Sequence, residues 1–246
     1  MTTTSAPVST GQVGIIHIRT ADADRAFAFF SELLGWQSEP YRSERFTAHY
    51  ILNTKRLTVL TDDPDAPPVR IFYPTQDVAA AVARVEELGG RVVDSEVADD
   101  GGGWARFEDP QGVGFGLWRE NNRYARDHEN VTPARGEVGY LTIGAPDGPR
   151  ARVFYQELLG WQFRPAQPND YHHVDNTELP LGVLGGGTGP EVKLYLRIDD
   201  LDGLTARVTE LGGGITSEDE SPSGRTAECV DDQGAPFCLW EPAAGY

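Results

Sequence analysis

Two stretches carry the residues best suited to hold a small molecule. Asp109-Pro110-Gln111-Gly112 runs into Phe115-Gly116-Leu117-Trp118, and Asp231-Asp232-Gln233-Gly234 runs into Phe237-Cys238-Leu239-Trp240. Asp and Gly at these spacings are turn chemistry, because Asp bonds its own backbone and Gly accepts a positive φ. The residues after each turn alternate with a period of two, which predicts a strand. Phe115/Leu117 and Phe237/Leu239 share one face, and Gly116/Trp118 and Cys238/Trp240 share the other. A Trp ring beside a Gly or a small thiol can stack on a planar ligand. Gly116 leaves space where an apolar ring could approach the strand backbone. Arg70/Phe72 and Lys193/Tyr195/Arg197 set cations and rings at alternate positions of two further strands. Such a face suits a planar molecule with a polar or anionic edge. His17 sits on the mixed face of an apolar run, where an imidazole can move a proton or touch a ligand. Tyr140 and Thr142 occupy the matching face in the second half of the chain.

Each of these residues also has a plain structural reading. His17 can be a satisfied, partly buried histidine, and Trp118 and Trp240 can fill core. His49, His172 and His173 read as strand or rim residues. Trp36 and Trp161 read as core, and Trp104 as a rim residue. Cys229 and Cys238 read as small core hydrophobes. The runs Gly101–Gly103 and Gly185–Gly187 lack the Lys-Ser/Thr of a phosphate loop and read as hairpin tips. No acidic pair, Ser-His-Asp set or dinucleotide fingerprint stands out.

The elements that position these residues follow from an internal duplication. Val13-Gly14-Ile15-Ile16-His17-Ile18 matches Val138-Gly139-Tyr140-Leu141-Thr142-Ile143 at a shift of 125 positions. Phe29-Phe30-Ser31-Glu32-Leu33-Leu34-Gly35-Trp36 matches Phe154-Tyr155-Gln156-Glu157-Leu158-Leu159-Gly160-Trp161 at the same shift. Each half splits again into a strand, a helix and further strands. The first helix opens at Asp22 or Asp24 and closes at Gly35, with Phe27, Phe30, Leu33 and Leu34 as its apolar stripe. The second opens at Asp77 and ends at Gly89-Gly90, with Val78, Val82, Val85 and Leu88 inward. Strand parity puts Ile16/Ile18, Leu141/Ile143, Ile71/Tyr73 and Leu194/Leu196 under the helices. The opposite, mixed faces are expected to line a cavity.

The chain of 246 residues, with 39% hydrophobic and 24% charged residues, suits one large or two ordinary globular domains. A formal charge of −17 argues against nucleic acid or an anionic membrane as partner. The Thr- and Ser-rich start lacks the basic and apolar regions of a signal peptide, and no apolar run has transmembrane length. A disulfide between Cys229 and Cys238 is possible from spacing, but a chain without a secretion signal favours reduced thiols and a cytoplasmic location.

The duplicated βαβββ pattern, with Phe154-Tyr155-Gln156-Glu157-Leu158-Leu159-Gly160-Trp161 and Asp109 to Trp118 as its motifs, resembles the vicinal oxygen chelate superfamily. That group includes glyoxalase I, bleomycin- and fosfomycin-resistance proteins and extradiol dioxygenases. The resemblance covers residues 11 to 242. It implies an α+β fold of four βαβββ modules that form two cup domains, 11–120 and 136–242. A flexible start (1–10) and a linker (121–135) flank them. Metal-dependent members hold a divalent ion with His, Glu or Gln near the centre of each first strand and on each last strand. Here those positions carry His17, Phe72, Thr142, Tyr195, Gly116 and Cys238, so the expectation is no metal and no cofactor. The implied function is binding of an aromatic small molecule or secondary metabolite, for resistance, sequestration or natural-product handling. The expected ligand contacts are Arg70, Phe72, Gly116, Trp118, Tyr140, Thr142, Lys193, Tyr195, Arg197, Cys238 and Trp240. The alternative is an enzyme of lyase, isomerase or dioxygenase type. It would use a divalent metal through a His/Cys site, or His17 as acid–base. The chain is expected as a monomer or homodimer.

Overall fold

The computed structural model describes residues 9, 11–119, 135–166 and 169–245. Apart from Ser9 and Arg135, the expected flexible start and linker lie outside the described residues. The first module is β1 (Ile15–Arg19), α1 (Ala23–Leu34), β2 (Ser38–Arg42), β3 (Thr47–Ile51) and β4 (Leu57–Thr61). The second is β5 (Val69–Thr75), α2 (Val78–Glu87), β6 (Arg91–Val97), β7 (Gly103–Glu108) and β8 (Gly114–Arg119). The third is β9 (Val138–Ala145), α3 (Gly148–Leu159), β10 (Phe163–Ala166), β11 (Tyr171–Val174) and β12 (Leu181–Gly185). The fourth is β13 (Glu191–Arg197), α4 (Leu201–Glu210), β14 (Gly214–Ser221), β15 (Gly224–Val230) and β16 (Pro236–Pro242). The strands make two eight-stranded mixed sheets, in the orders β2-β3-β4-β1-β5-β8-β7-β6 and β10-β11-β12-β9-β13-β16-β15-β14. The fold is α+β, built from four βαβββ modules.

The helices start where the sequence provides a cap. Asp22, Asp77, Asp147 and Asp200 have extended backbones, and each side chain accepts from the N–H three residues on. A cap of this kind is worth about 1 kcal/mol. Asp24, the alternative start of α1, lies inside the helix and bonds His49 and Arg42 instead. The inward stripe of α1 is Phe29, Phe30, Leu33 and Leu34. Phe27, expected there, is half-buried on the flank and stacks on the His49 ring with centroids 4.6 Å apart.

Two compact units are formed. One holds α2, α3, β6–β8 and β10–β12 with most of β5 and β9; the other holds α1, α4, β2–β4 and β14–β16 with most of β1 and β13. The core of the first is aromatic: Tyr155 stacks on Trp161 at 5.0 Å, and Phe115 meets Phe154 edge-on at 5.9 Å. In the second, Phe30 lies 5.0 Å from Trp36 and 5.2 Å from Phe237.

Each unit contains one of the Asp-led turns. Asp109 Oδ1 accepts from the N–H groups of Gln111 (2.8 Å) and Val113 (2.9 Å). Asp231 Oδ1 accepts from those of Gln233 and Ala235, both at 2.8 Å. Both carboxylates are buried, and burial raises both pKa values above the usual aspartate range. The second oxygens differ. Asp109 Oδ2 accepts from the Tyr155 hydroxyl at 3.1 Å. Asp231 Oδ2 has no hydrogen-bond partner among the described residues. The duplication explains this, because Phe30 stands where the other half has Tyr155 and brings no hydroxyl.

Two outcomes follow. Phe30→Tyr should stabilise the protein by about 1 kcal/mol by giving Asp231 the missing donor, and Tyr155→Phe should cost about 1–2 kcal/mol, both read by urea unfolding. The raised Asp109 pKa means that its folded form holds a proton more tightly than the unfolded chain. Its stabilising contribution is therefore complete below the ordinary value of 3.8 and is lost as pH rises through the folded pKa. Urea midpoints from about pH 4 to about pH 7 should show the wild type losing ground to Asp109→Asn as pH rises. A difference independent of pH would contradict this.

Candidate functional site

The mixed face of the second unit is built on β13, β16 and β15. Tyr195 pairs with Cys238 and Cys238 with Glu228; Arg197 pairs with Trp240 and Trp240 with Thr226. Paired residues share a face, so these rows run across one surface. The Tyr140 ring meets Tyr195 edge-on at 5.9 Å and Trp240 at 6.4 Å. Tyr140, Lys193, Tyr195 and Arg197 are all half-buried. Trp240 is 8% exposed and donates its indole N–H to the Ser223 carbonyl at 3.1 Å. Lys193 ion-pairs with Glu228 and holds that carboxyl below the usual range. Burial pushes the Cys238 thiol up to about 12, so it stays protonated at neutral pH. Cys229 and Cys238 are free thiols on opposite faces, since Cys229 pairs with Phe237.

The matching face of the first unit is closed. Phe72 pairs with Gly116, Gly116 with Arg106, and Arg106 with Asp94. A Cβ at Gly116 would lie 2.2 Å from two carbons of the Phe72 ring. The space expected at Gly116 is therefore taken by the protein's own ring, because the parallel register sets Phe72 beside it. Arg70 is 4% exposed, and Phe72 and Trp118 are 7% exposed, so both faces of this part of β5 are buried. The Trp118 ring lies against Gly14, and its indole N–H has no hydrogen-bond partner among the described residues. Arg106 pairs with Asp94 and stands 4.9 Å over the half-buried Trp104 ring.

His17 is half-buried on β1, and Thr142 is half-buried on β9, where Leu141 and Ile143 are buried as parity predicts. The three histidines read as strand or rim residues diverge. His49 is buried on the helix side, with Nε2 2.8 Å from Asp24 Oδ1 and Nδ1 2.8 Å from Ser38 Oγ. His172 lies 3.5 Å from Asp170. His173 takes the opposite face from His172, together with Tyr171 and, across Gly182, Thr142. Sequence reasoning passed over Tyr171 and read His173 as a strand or rim residue. The signal was the spacing of two in Tyr171-His172-His173, which puts the outer pair on one face.

The positions at which the resemblance expects metal ligands include Gly116, Phe72 and Cys238. Gly116 lies under Phe72 and brings no side-chain donor, and the Cys238 thiol is buried. Phe72 brings no donor atom. Among the described residues no three His, Cys, Asp or Glu side chains group to hold an ion. Among them, too, no helix is long and apolar enough to cross a membrane.

The profile of the glyoxalase-like domain family matches residues 15–118 and 140–240. The anthracycline biosynthesis protein DnrV of Streptomyces peucetius is 31% identical over 188 residues, which are 72% of this chain and 66% of that protein. DauV, an anthracycline biosynthesis protein of Streptomyces sp. (strain C5), is 30% identical over 186 residues with the same coverage. The chain thus spans just under two thirds of these relatives. The homoprotocatechuate 2,3-dioxygenase of Brevibacterium fuscum, solved with 3,4-dihydroxyphenylacetate, is similar in fold with a TM-score of 0.67. The match is 17% identical and covers 97% of this chain and 82% of that one.

The Phe72–Gly116 pairing can be tested directly. Gly116→Ala should cost about 1–3 kcal/mol by overpacking, and Phe72→Leu in the same chain should recover part of that loss. A urea double-mutant cycle with purely additive effects would place the two residues apart.

Proposed function

This chain belongs to the glyoxalase-like domain family, and from that premise we propose that it binds a planar, mostly apolar aromatic metabolite. The binding surface is the mixed face of β13 and β16. One observation carries the reading: Tyr140 stands edge-on to both Tyr195 and Trp240, beside half-buried Lys193 and Arg197. The rings offer stacking surface, and the cations meet polar or anionic edges of the ligand. Phe72 covers Gly116, and Arg70 and Trp118 are buried, so these residues serve the ligand less directly. The reading needs no metal and no cofactor. The similarity to anthracycline biosynthesis proteins supports a fused-ring compound of secondary metabolism as the ligand, held for sequestration or for handling during its formation.

A second reading makes the protein an enzyme of lyase, isomerase or dioxygenase type. Its specific support is that His17 is half-buried and carries an imidazole, a group that exchanges protons near neutral pH. Turnover of a ligand found by binding, lost in His17→Ala with binding retained, would favour it.

Fluorescence titration with a panel of fused-ring quinones tests the first reading. Trp240→Ala and Tyr195→Ala should each weaken binding about tenfold, the loss of one aromatic contact. Lys193→Met should weaken anionic members of the panel more than neutral ones. Unchanged affinity in both aromatic variants, or no binding by any quinone to folded protein, would sink the proposal.

A further inference from the structure

An open cavity of about 390 Å³ lies in the first unit, where the end of α2, the Asp109 turn and the start of α3 meet. Leu88, Pro110, Pro149, Val153 and Phe154 make its apolar wall, and Asp147 and Arg150 its polar edge. Cavities of this size hold small molecules. The turn is tied to the helix start. The Gln111 amide donates to the Asp147 carbonyl at 2.9 Å and accepts from the Asp147 N–H at 2.6 Å. Val153 is 62% exposed, so an apolar side chain stands in water at the rim. The duplication provides a control. At the shift of 125, Arg150 corresponds to Arg25, Pro149 to Asp24 and Val153 to Ala28, and Pro110 follows Asp109 as Asp232 follows Asp231. In the second unit Arg25 Nε donates to Asp232 Oδ2 at 2.5 Å, and a terminal nitrogen donates to the Asp232 carbonyl at 2.9 Å. Pro110 brings no carboxylate. The Arg150 guanidinium accordingly has no hydrogen bond or ion pair among the described residues, and only its backbone N–H is engaged, by Asp147 Oδ1 at 3.0 Å. Where one unit has two acids, an alanine and a paired arginine, the other has two prolines, a valine and an unpaired arginine.

We propose that this cavity binds a small aliphatic carboxylate, with Arg150 pairing the carboxylate and Leu88, Pro110, Pro149 and Val153 covering the alkyl chain. The wall favours an alkyl chain over a stacked ring. Phe154 is 2% exposed and meets Phe115 edge-on in the core, so the other wall residues are aliphatic and no ring face is offered. A guanidinium is a planar fork that matches a carboxylate. The neighbouring cation does not compete for it: Arg84 on α2 is held by Glu87 at 3.1 Å and by Glu157 at 2.8 Å. Arg150 is exposed, and Asp147 is an acid on the same rim. The ion pair is therefore worth little by itself, and the apolar wall supplies most of the affinity. Arg150 supplies the preference for an acid over a neutral molecule of the same length. This site is independent of the aromatic face: it lies in the other unit, takes a different ligand and uses none of the same residues.

The probes are octanoate and 1-octanol, titrated into the full chain and read at the methyl resonances of Val153 and Leu88. Octanoate should shift both residues along one saturable curve. Arg150→Gln should weaken octanoate about fivefold, the worth of an exposed ion pair, and leave octanol unchanged. Pro110→Asp gives Arg150 the partner that Arg25 has, and should weaken octanoate about tenfold. Val153→Ala, read at Leu88, should weaken both probes about threefold through lost apolar contact. The second unit carries Asp232 and Ala28 at these two places, and Arg150 is exposed, so the variants keep residues that this fold accepts. Trp240→Ala should leave the octanoate curve at Val153 unchanged. Methyl resonances that stay fixed in millimolar octanoate overturn the proposal. So does an octanoate affinity unchanged in both Arg150→Gln and Pro110→Asp. Resonances that move with protein concentration alone, and not with octanoate, also overturn it, because the surface is then a contact between copies of the chain.

Discussion

A buried carboxylate in a tight turn sets the geometry of each unit. Asp109 and Asp231 each gather two backbone N–H groups, and so fix the point at which β8 or β16 begins. The two strands carry Gly116 and Trp118, or Cys238 and Trp240, and a slip of one residue would turn these to the helix side. The pairings of Phe72 with Gly116 and of Tyr195 with Cys238 therefore depend on these turns. The cost is a charge taken out of water, which shows as a raised pKa at both positions. The first unit offsets part of it through the Tyr155 hydroxyl, and the second does not.

One backbone plan, used twice, has produced two different faces. In the first unit a Phe beside a Gly closes the surface, and an Arg and a Trp are buried with them. In the second, Tyr195 pairs with Cys238, which stands at the position that Gly116 holds in the first. The Tyr195 ring then stays half-buried and meets Tyr140 rather than covering the next strand. Two exchanges, Gly for Cys and Phe for Tyr, thus separate a face with a buried Phe72 ring from one with a half-buried Tyr195 ring.

The likeness to extradiol dioxygenases is one of fold, and fold does not fix chemistry. Matching strand positions hold a glycine covered by a packed ring in one unit and a protonated thiol in the other. What decides is the local environment of each side chain. Phe72 covers Gly116, burial keeps Cys238 protonated, and half-burial next to Arg164 keeps His173 neutral. The histidines make the same point: His49 and His172, on the helix side, are matched with Asp24 and Asp170, while His173 faces the other way.

The sequence by itself determined the duplication, the four βαβββ modules, the aspartate caps and the alternation that puts Leu141 and Ile143 under a helix. These are local consequences of period and turn chemistry, so they can be read without knowing the neighbours. It also placed Tyr140, Tyr195 and Trp240 on one face, because parity along a strand is local. Only the tertiary structure decided that Phe72 fills the space at Gly116, that Arg70 is buried, and that Tyr171 and His173 share a row with Thr142. It likewise showed that Phe29, not Phe27, faces inward, since Phe29 finds Phe237 at 5.9 Å. Those outcomes rest on register between strands far apart in the chain, and register is set by pairing and turns that no single segment specifies.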